Sequence, residues 1–166
     1  FKILKNKFKK SILLLIPRHI ERAPEITQKL SDMELKVHLH SANKKISKQT
    51  DVYLVDTFGE TKLFLKYSRI VFMGGSIVQH GGQNPLEAAR FGCKILHGKN
   101  IENFKEVYDL LNKINISYKI NNKNGAISKI REMTKRKYTS KNNINKINYL
   151  GKQILLDNEK ELIKYF

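Results

Sequence analysis

The sequence predicts an α/β fold: an open parallel sheet with helices on both faces, in a single domain spanning 1–166. Two observations predict it. Short apolar runs of strand length recur at residues 11–16, 51–55, 70–73 and 94–96. Between them lie segments with apolar residues at helical spacing, and strands alternating with helices of this length are the pattern of a parallel sheet covered on both sides.

The elements follow in order. Phe1 to Lys10 has apolar residues at 1, 4 and 8 among lysines, an amphipathic helix. Ser11 to Ile16 reads as a buried strand stopped by Pro17, and Ala23 to Leu30 as a helix. Leu35 to Leu39 alternates apolar residues with Lys36 and His38, as a half-exposed strand does. Asp51 to Val55 is a short buried strand. Asp56-Thr57 is expected to cap the next helix, with Glu60 in its first turn and Leu63 to Tyr67 continuing it. Ile70 to Met73 is a strand, Pro85 to Phe91 a helix ended by Gly92, and Lys94 to Leu96 a strand. Asn103 with Glu106 has capping-box spacing and opens a helix through Leu111 and Ile114. Residues 117–166 are expected to form basic C-terminal helices over the sheet, from the apolar positions Ile127, Ile130 and Met133 and later Ile147, Leu150, Ile154 and Leu155, joined by an exposed stretch at 135–143.

At 166 residues and 40% hydrophobic content the chain has material for one core. No apolar run approaches the ~20 residues that cross a bilayer, and no signal-peptide pattern opens the sequence. It begins with Phe, which suggests a start inside a longer protein. Cys93 is the only cysteine, which excludes an internal disulfide and suits a small packing residue. The net charge of +17 suggests nucleic acid, yet Lys outnumbers Arg 26 to 6 and is spread along the whole chain. Bidentate readout of bases and phosphates favours Arg, so no specific nucleic-acid partner is expected. A basic surface of this kind is attracted to anionic lipid headgroups, by ~1 kcal/mol per well-placed residue.

The stretch Val71 to Glu87, VFMGGSIVQHGGQNPLE, carries the most chemistry. A strand hands over to a helix through small residues that leave backbone N–H groups bare, which suits an anion. Asn84 and Glu87 have capping-box spacing, with Pro85 at the first helical position. In open α/β sheets ligands bind beyond the carboxyl ends of the strands. Three loops meet that rule: Pro17-Arg18-His19, Asp56 to Glu60, and Gly74 to Glu87. Arg18 either reaches over the strand ends to a phosphate or pairs at the surface with Glu21 or Glu25. Gly59 within a first helical turn is unexpected, and a ligand brought close to the backbone would explain it. His80 is either a loop residue or a phosphate donor. His38, His40 and His97 lack metal spacing. The G-x-S-x-G elbow, the phosphate-loop lysine motif and the dinucleotide glycine motif are all missing.

Pro17-Arg18-His19-Ile20-Glu21-Arg22, Asp56-Thr57-Phe58-Gly59-Glu60, Gly74-Gly75-Ser76 and Gly81-Gly82-Gln83-Asn84-Pro85-Leu86-Glu87, with Asn103-Phe104 beyond, closely resemble the C-terminal half of the 3-deoxy-D-manno-octulosonic acid (Kdo) transferase family. The match covers roughly Ser11 to Leu111. The resemblance implies a Rossmann-like donor domain of a GT-B glycosyltransferase that transfers Kdo from CMP-Kdo to a lipid A precursor in lipopolysaccharide synthesis. It places the chain as a peripheral protein at the cytoplasmic face of the inner membrane, or in the cytoplasm if the fragment stands alone. The implied CMP-Kdo site comprises Pro17, Arg18, Phe58, Gly59, Glu60, Gly75, Ser76, Asn84, Pro85, Leu86 and Glu87. Pro17 and Arg18 would flank the nucleotide, Phe58-Gly59-Glu60 would line the pocket, and Asn84 to Glu87 would hold ribose and phosphate.

No catalytic residue, cofactor or obligate metal is assigned, since CMP departs from a single phosphate. Gln83 stands where the family commonly has His, which puts acid catalysis there in doubt. The family's acceptor domain, its carboxylate base and the first donor-domain strand are expected to precede Phe1, so the 166 residues are expected to be inactive alone. The other readings of the sequence are a non-catalytic remnant or binding module of the same fold, a basic nucleic-acid binder, and a GT-B enzyme with a UDP- or GDP-sugar donor.

Overall fold

The computed structural model describes residues 1–79, 81–135 and 139–165. The chain divides into two compact units, residues 1–64 and 65–166. The class is α/β and Rossmann-like, with parallel strands and intervening helices throughout.

In the first unit, helix α1 (Lys2–Lys7) leads into strand β1 (Leu13–Leu15), helix α2 (Ala23–Asp32), strand β2 (Val37–Leu39) and strand β3 (Val52–Leu54). The strands form a parallel sheet in the order β1-β3-β2, with Leu15, Leu54 and Leu39 in register. Val52 and Leu54 on the central strand are fully buried, with Val55, Leu35 and Ala23 also buried. Each large aliphatic side chain so buried contributes roughly 1.5–3 kcal/mol. The carboxylate of Asp51 accepts from the Lys36 N–H at 2.9 Å and pairs with Lys5 at 3.1 Å.

Helix α3 (Thr61–Tyr67) runs across the division at residue 64. The second unit continues with strand β4 (Ile70–Met73), helix α4 (Leu86–Arg90), strand β5 (Lys94–His97), helix α5 (Lys105–Lys113), strand β6 (Ser117–Lys119), helix α6 (Lys123–Lys135) and helix α7 (Ser140–Ile163). Its sheet is parallel in the order β4-β5-β6, with Met73, His97 and Lys119 in register. One core joins Leu65, Met73, Ala88, Ala89, Cys93, Ile95, Tyr108, Leu111 and Ile116, and Ile147 of α7 packs against it. Burial pushes the Cys93 thiol up to about 11, and its Sγ lies 3.2 Å from the Ser68 carbonyl, as befits an inert packing residue.

Several boundaries differ from the sequence expectation, each for a local reason. Strand pairing is distributed over two three-stranded sheets, one in each unit. Helix α1 ends at Lys7, where the Phe8 N–H closes on the Leu4 carbonyl. Asp56 does not cap α3, because its carboxylate is taken by Ser41; the helix starts at Thr61, and the Glu60 carbonyl accepts from Leu63 at 2.9 Å. Asn103 does not cap α5 either: a 3-10 turn at Glu102–Phe104 precedes the helix, and the Asn103 N–H donates to Gly81.

Residues 117–119 form strand β6 where only helices were expected. Its polarity hid it: Ser117 is fully buried, and its hydroxyl donates to the Tyr108 carbonyl at 2.9 Å. The Asn143 amide anchors α7 by donating to the Gly92 carbonyl at 2.7 Å, while residues 151–163 of that helix are exposed. Among the described residues, no helix is long and apolar enough to cross a membrane.

Candidate functional site

In the first unit, β1, β2 and β3 end in register, so the segments that follow them leave the same edge of the sheet. Pro17-Arg18-His19 follows β1, His40-Ser41 follows β2, and Asp56 to Glu60 follows β3. Arg18 is exposed, and neither of its expected surface pairings forms. Glu25 is held by Arg22 at 3.2 Å and Lys29 at 2.5 Å, and Glu21 by His19 at 3.0 Å. Lys29 and Arg22 together hold the Glu25 carboxyl down at about 2.

The β3 loop is organised by side chains from its neighbours. The Asp56 carboxylate accepts from the Ser41 N–H at 2.9 Å and the Ser41 hydroxyl at 2.5 Å. Burial pushes the Asp56 carboxyl up, but these hydrogen bonds outweigh it and leave the group below its ordinary value. Glu60 Oε2 is 2.8 Å from His40 Nε2 and also receives the Thr57 hydroxyl. His40 Nδ1 lies 2.6 Å from the Tyr53 hydroxyl. The Tyr53 phenol is held above its ordinary value by burial first, then by the charges of Glu60 and Asp56. Phe58 is 75% exposed at the tip of the loop. Gly59 has φ +84° and open space where a Cβ would project. The left-handed backbone accounts for glycine there without a ligand, which corrects the sequence argument.

In the second unit, Met73 and His97 end neighbouring parallel strands, and the loops beyond them interlock. Ser76 is fully buried; its hydroxyl donates to the Met73 carbonyl and accepts from the Gly98 N–H at 2.7 Å. The Asn100 amide donates to the Ile77 carbonyl at 2.8 Å, and the Asn100 N–H to the Ser76 carbonyl at 3.0 Å. Gly75 packs against the Gln83 side chain, whose backbone carbonyl accepts from the Tyr108 hydroxyl at 3.0 Å.

Asn84 Oδ1 accepts from the Leu86 N–H at 3.0 Å while Pro85, with φ −84° and ψ −9°, starts the helical turn. This differs from the expected capping box: α4 begins at Leu86 with Pro85 as its cap, and Asn84 bonds the residue two positions ahead. That bond also satisfies an N–H that the sequence reading had left bare for an anion. Pro85 is buried, Leu86 is half-buried, and Asn84 and Glu87 are exposed.

The sequence-derived set thus falls in two groups. Pro17, Arg18, Phe58, Gly59 and Glu60 share the carboxyl edge of the first sheet; Gly75, Ser76, Asn84 and Pro85 lie on the β4–α4 connection of the second unit, with Leu86 and Glu87 in the first turn of α4. Ser76 and Pro85 are buried, so they shape backbone rather than face solvent. His80 lies outside the described residues. Among the described residues, no group of three or more His, Cys, Asp or Glu is arranged to hold a metal ion.

Sequence reasoning missed His40, Ser41 and Tyr53, which organise the β3 loop, and Gly98 and Asn100, which brace Ser76. The rule that pointed to the other loops, position just beyond a parallel strand, would have found His40-Ser41 and Gly98 as well.

No protein-family model matches the chain. It is 32% identical over 152 residues, 92% of its length, to a 3-deoxy-D-manno-octulosonic acid transferase of Haemophilus influenzae, and covers 35% of that protein. It is 29% identical to the transferase of the same name from Aquifex aeolicus, over 80% of this chain and 36% of that protein. The chain therefore spans about a third of the length of these curated relatives. Among solved structures, it is similar to the C-terminal CMP-Kdo binding domain of WaaA from Acinetobacter baumannii. The TM-score is 0.80 at 23% identity, over 90% of this chain and 78% of that one.

Proposed function

Because this chain belongs to the 3-deoxy-D-manno-octulosonic acid transferase family over the portion it spans, we propose that its strand-end loops serve to bind the sugar-nucleotide donor of such an enzyme, CMP-Kdo. The observation that carries the reading is placement. Every residue of the sequence-derived set lies on a connection leaving a parallel strand or in the first turn of the helix that follows it, and all but Ser76 and Pro85 retain exposure to solvent. That is where open α/β sheets bind ligands.

In this reading Arg18 bonds the phosphate, which gains negative charge as CMP departs, through its planar two-pronged guanidinium. Phe58 offers an apolar face, and Glu60 and Glu87 accept hydrogen bonds from the nucleotide's hydroxyl or amino groups. Ser76 and Pro85 hold the β4–α4 connection in shape. The donated sugar passes to a lipid A precursor at the cytoplasmic face of the inner membrane, and the charge of +17 favours the anionic surface there. The residue set demands no divalent metal, because a monophosphate leaving group carries less charge than a diphosphate.

Calorimetric titration of the 166-residue chain with CMP, with UMP as a control of equal charge, tests the proposal. CMP binds more tightly than UMP, and Arg18→Ala and Glu87→Ala each weaken it about tenfold, ~1.4 kcal/mol. Equal affinity for the two nucleotides would reduce the effect to nonspecific attraction and refute the reading. Added EDTA leaves the CMP affinity unchanged.

A further inference from the structure

We propose that His40 is a positioning residue for Glu60, and that Glu60 meets the nucleotide through the carboxylate oxygen His40 does not touch; the inference rests on the donor-site reading above. His40 is the first residue beyond β2, and β2 lies in register beside β3, whose loop carries Glu60. Its Nε2 is 2.8 Å from Glu60 Oε2, and the Thr57 hydroxyl donates to the same oxygen. Both donors therefore converge on Oε2. Among the described residues no hydrogen bond is made to Oε1, and the Glu60 side chain is the more exposed of the pair, 37% against 24% for His40.

The imidazole is itself fixed. Its other nitrogen lies 2.6 Å from the Tyr53 hydroxyl, and its ring stands edge-on to Phe64 at 5.3 Å and to Tyr53 at 5.7 Å. Facing a carboxylate, Nε2 carries the proton, and in the neutral ring the Tyr53 hydroxyl donates to Nδ1. The neighbouring carboxylate, Asp56, is already engaged by Ser41 through two hydrogen bonds. Glu60 is thus the acid of this loop presented to a ligand. A flexible side chain held in place before binding spares the ordering cost that binding otherwise carries.

CMP titration of the 166-residue chain and its variants, with melting curves confirming that each folds, tests this. Glu60→Ala is expected to weaken CMP binding about tenfold and His40→Ala by a similar factor, with the double variant no weaker than Glu60→Ala alone. His40→Gln, whose amide donates from the position of Nε2, restores affinity to within about threefold of wild type. If His40→Ala does not fold, Thr57→Val and His40→Gln decide: the first weakens binding severalfold, the second barely. Additive losses in the double variant, or unchanged affinity in His40→Ala, overturn the positioning role while leaving the donor site standing. Failure of the wild-type chain to bind CMP refutes the donor site itself, and this inference with it.

Discussion

Ser76 and Gly98 are locked together across the ends of β4 and β5: the Gly98 N–H donates to the Ser76 hydroxyl at 2.7 Å, and a Cβ on Gly98 would stand 2.4 Å from the Ser76 carbonyl oxygen. The second contact is with backbone, which has no rotamer to yield. Gly98→Ala is therefore expected to cost ~1–3 kcal/mol, the usual range for overpacking. Ser76→Ala strands the buried Gly98 N–H at a similar cost of ~1–3 kcal/mol. Thermal unfolding checks both, with a fall of roughly 2–4 °C per kcal/mol for a chain of this size. Unchanged melting in either variant would mean that the two loops are not braced in this way.

Gly59 makes the opposite case. Its φ of +84° disfavours a side chain, yet nothing lies within 4 Å of the position a Cβ would take. Gly59→Ala is expected to cost only ~1–2 kcal/mol, from backbone conformation alone. Melting measured without nucleotide reads that cost directly. A much larger loss would reveal a steric demand that the structure does not contain.

Stability should also fall with pH through a single buried imidazole. His97 is 4% exposed, and its ring packs at a tilt against that of Tyr108, with centroids 4.4 Å apart. Burial holds it below its ordinary value of 6.5, with the Gly98 carbonyl opposing the shift and Lys119 adding to it. Below pH 6.5 the unfolded chain therefore takes up a proton that the folded chain refuses, and stability declines until the depressed folded value is passed. Urea unfolding at pH 7.5 and 5.5 is expected to show this loss, and His97→Asn, which keeps a donor near Nδ1 but does not titrate, to reduce it. An equal loss in His97→Asn would place the proton elsewhere.

The parts of this molecule legible in the sequence were those decided locally. The apolar runs located β1, β3, β4 and β5, and Asn84-Pro85 announced the start of α4 because Asn84 and the N–H it bonds are two residues apart. What escaped depends on partners distant in the chain. Asp56 looks like a helix cap until Ser41 takes its carboxylate, fifteen residues away along the chain. Ser117 looks like a surface residue until the Tyr108 carbonyl receives its hydroxyl and Ile116 is buried beside it. His40 has no metal-like spacing, and its significance appears only when β2 and β3 pair and bring Glu60 within 2.8 Å.

The central claim is that the strand-end loops of this chain bind CMP. An amide NMR titration of the 15N-labelled chain with CMP reads it most directly. The account predicts that the amides of Arg18, Glu60, Gly75 and Glu87 shift on addition of CMP and that UMP at the same concentration shifts them less. No shift at these amides, or equal shifts with UMP, would contradict it.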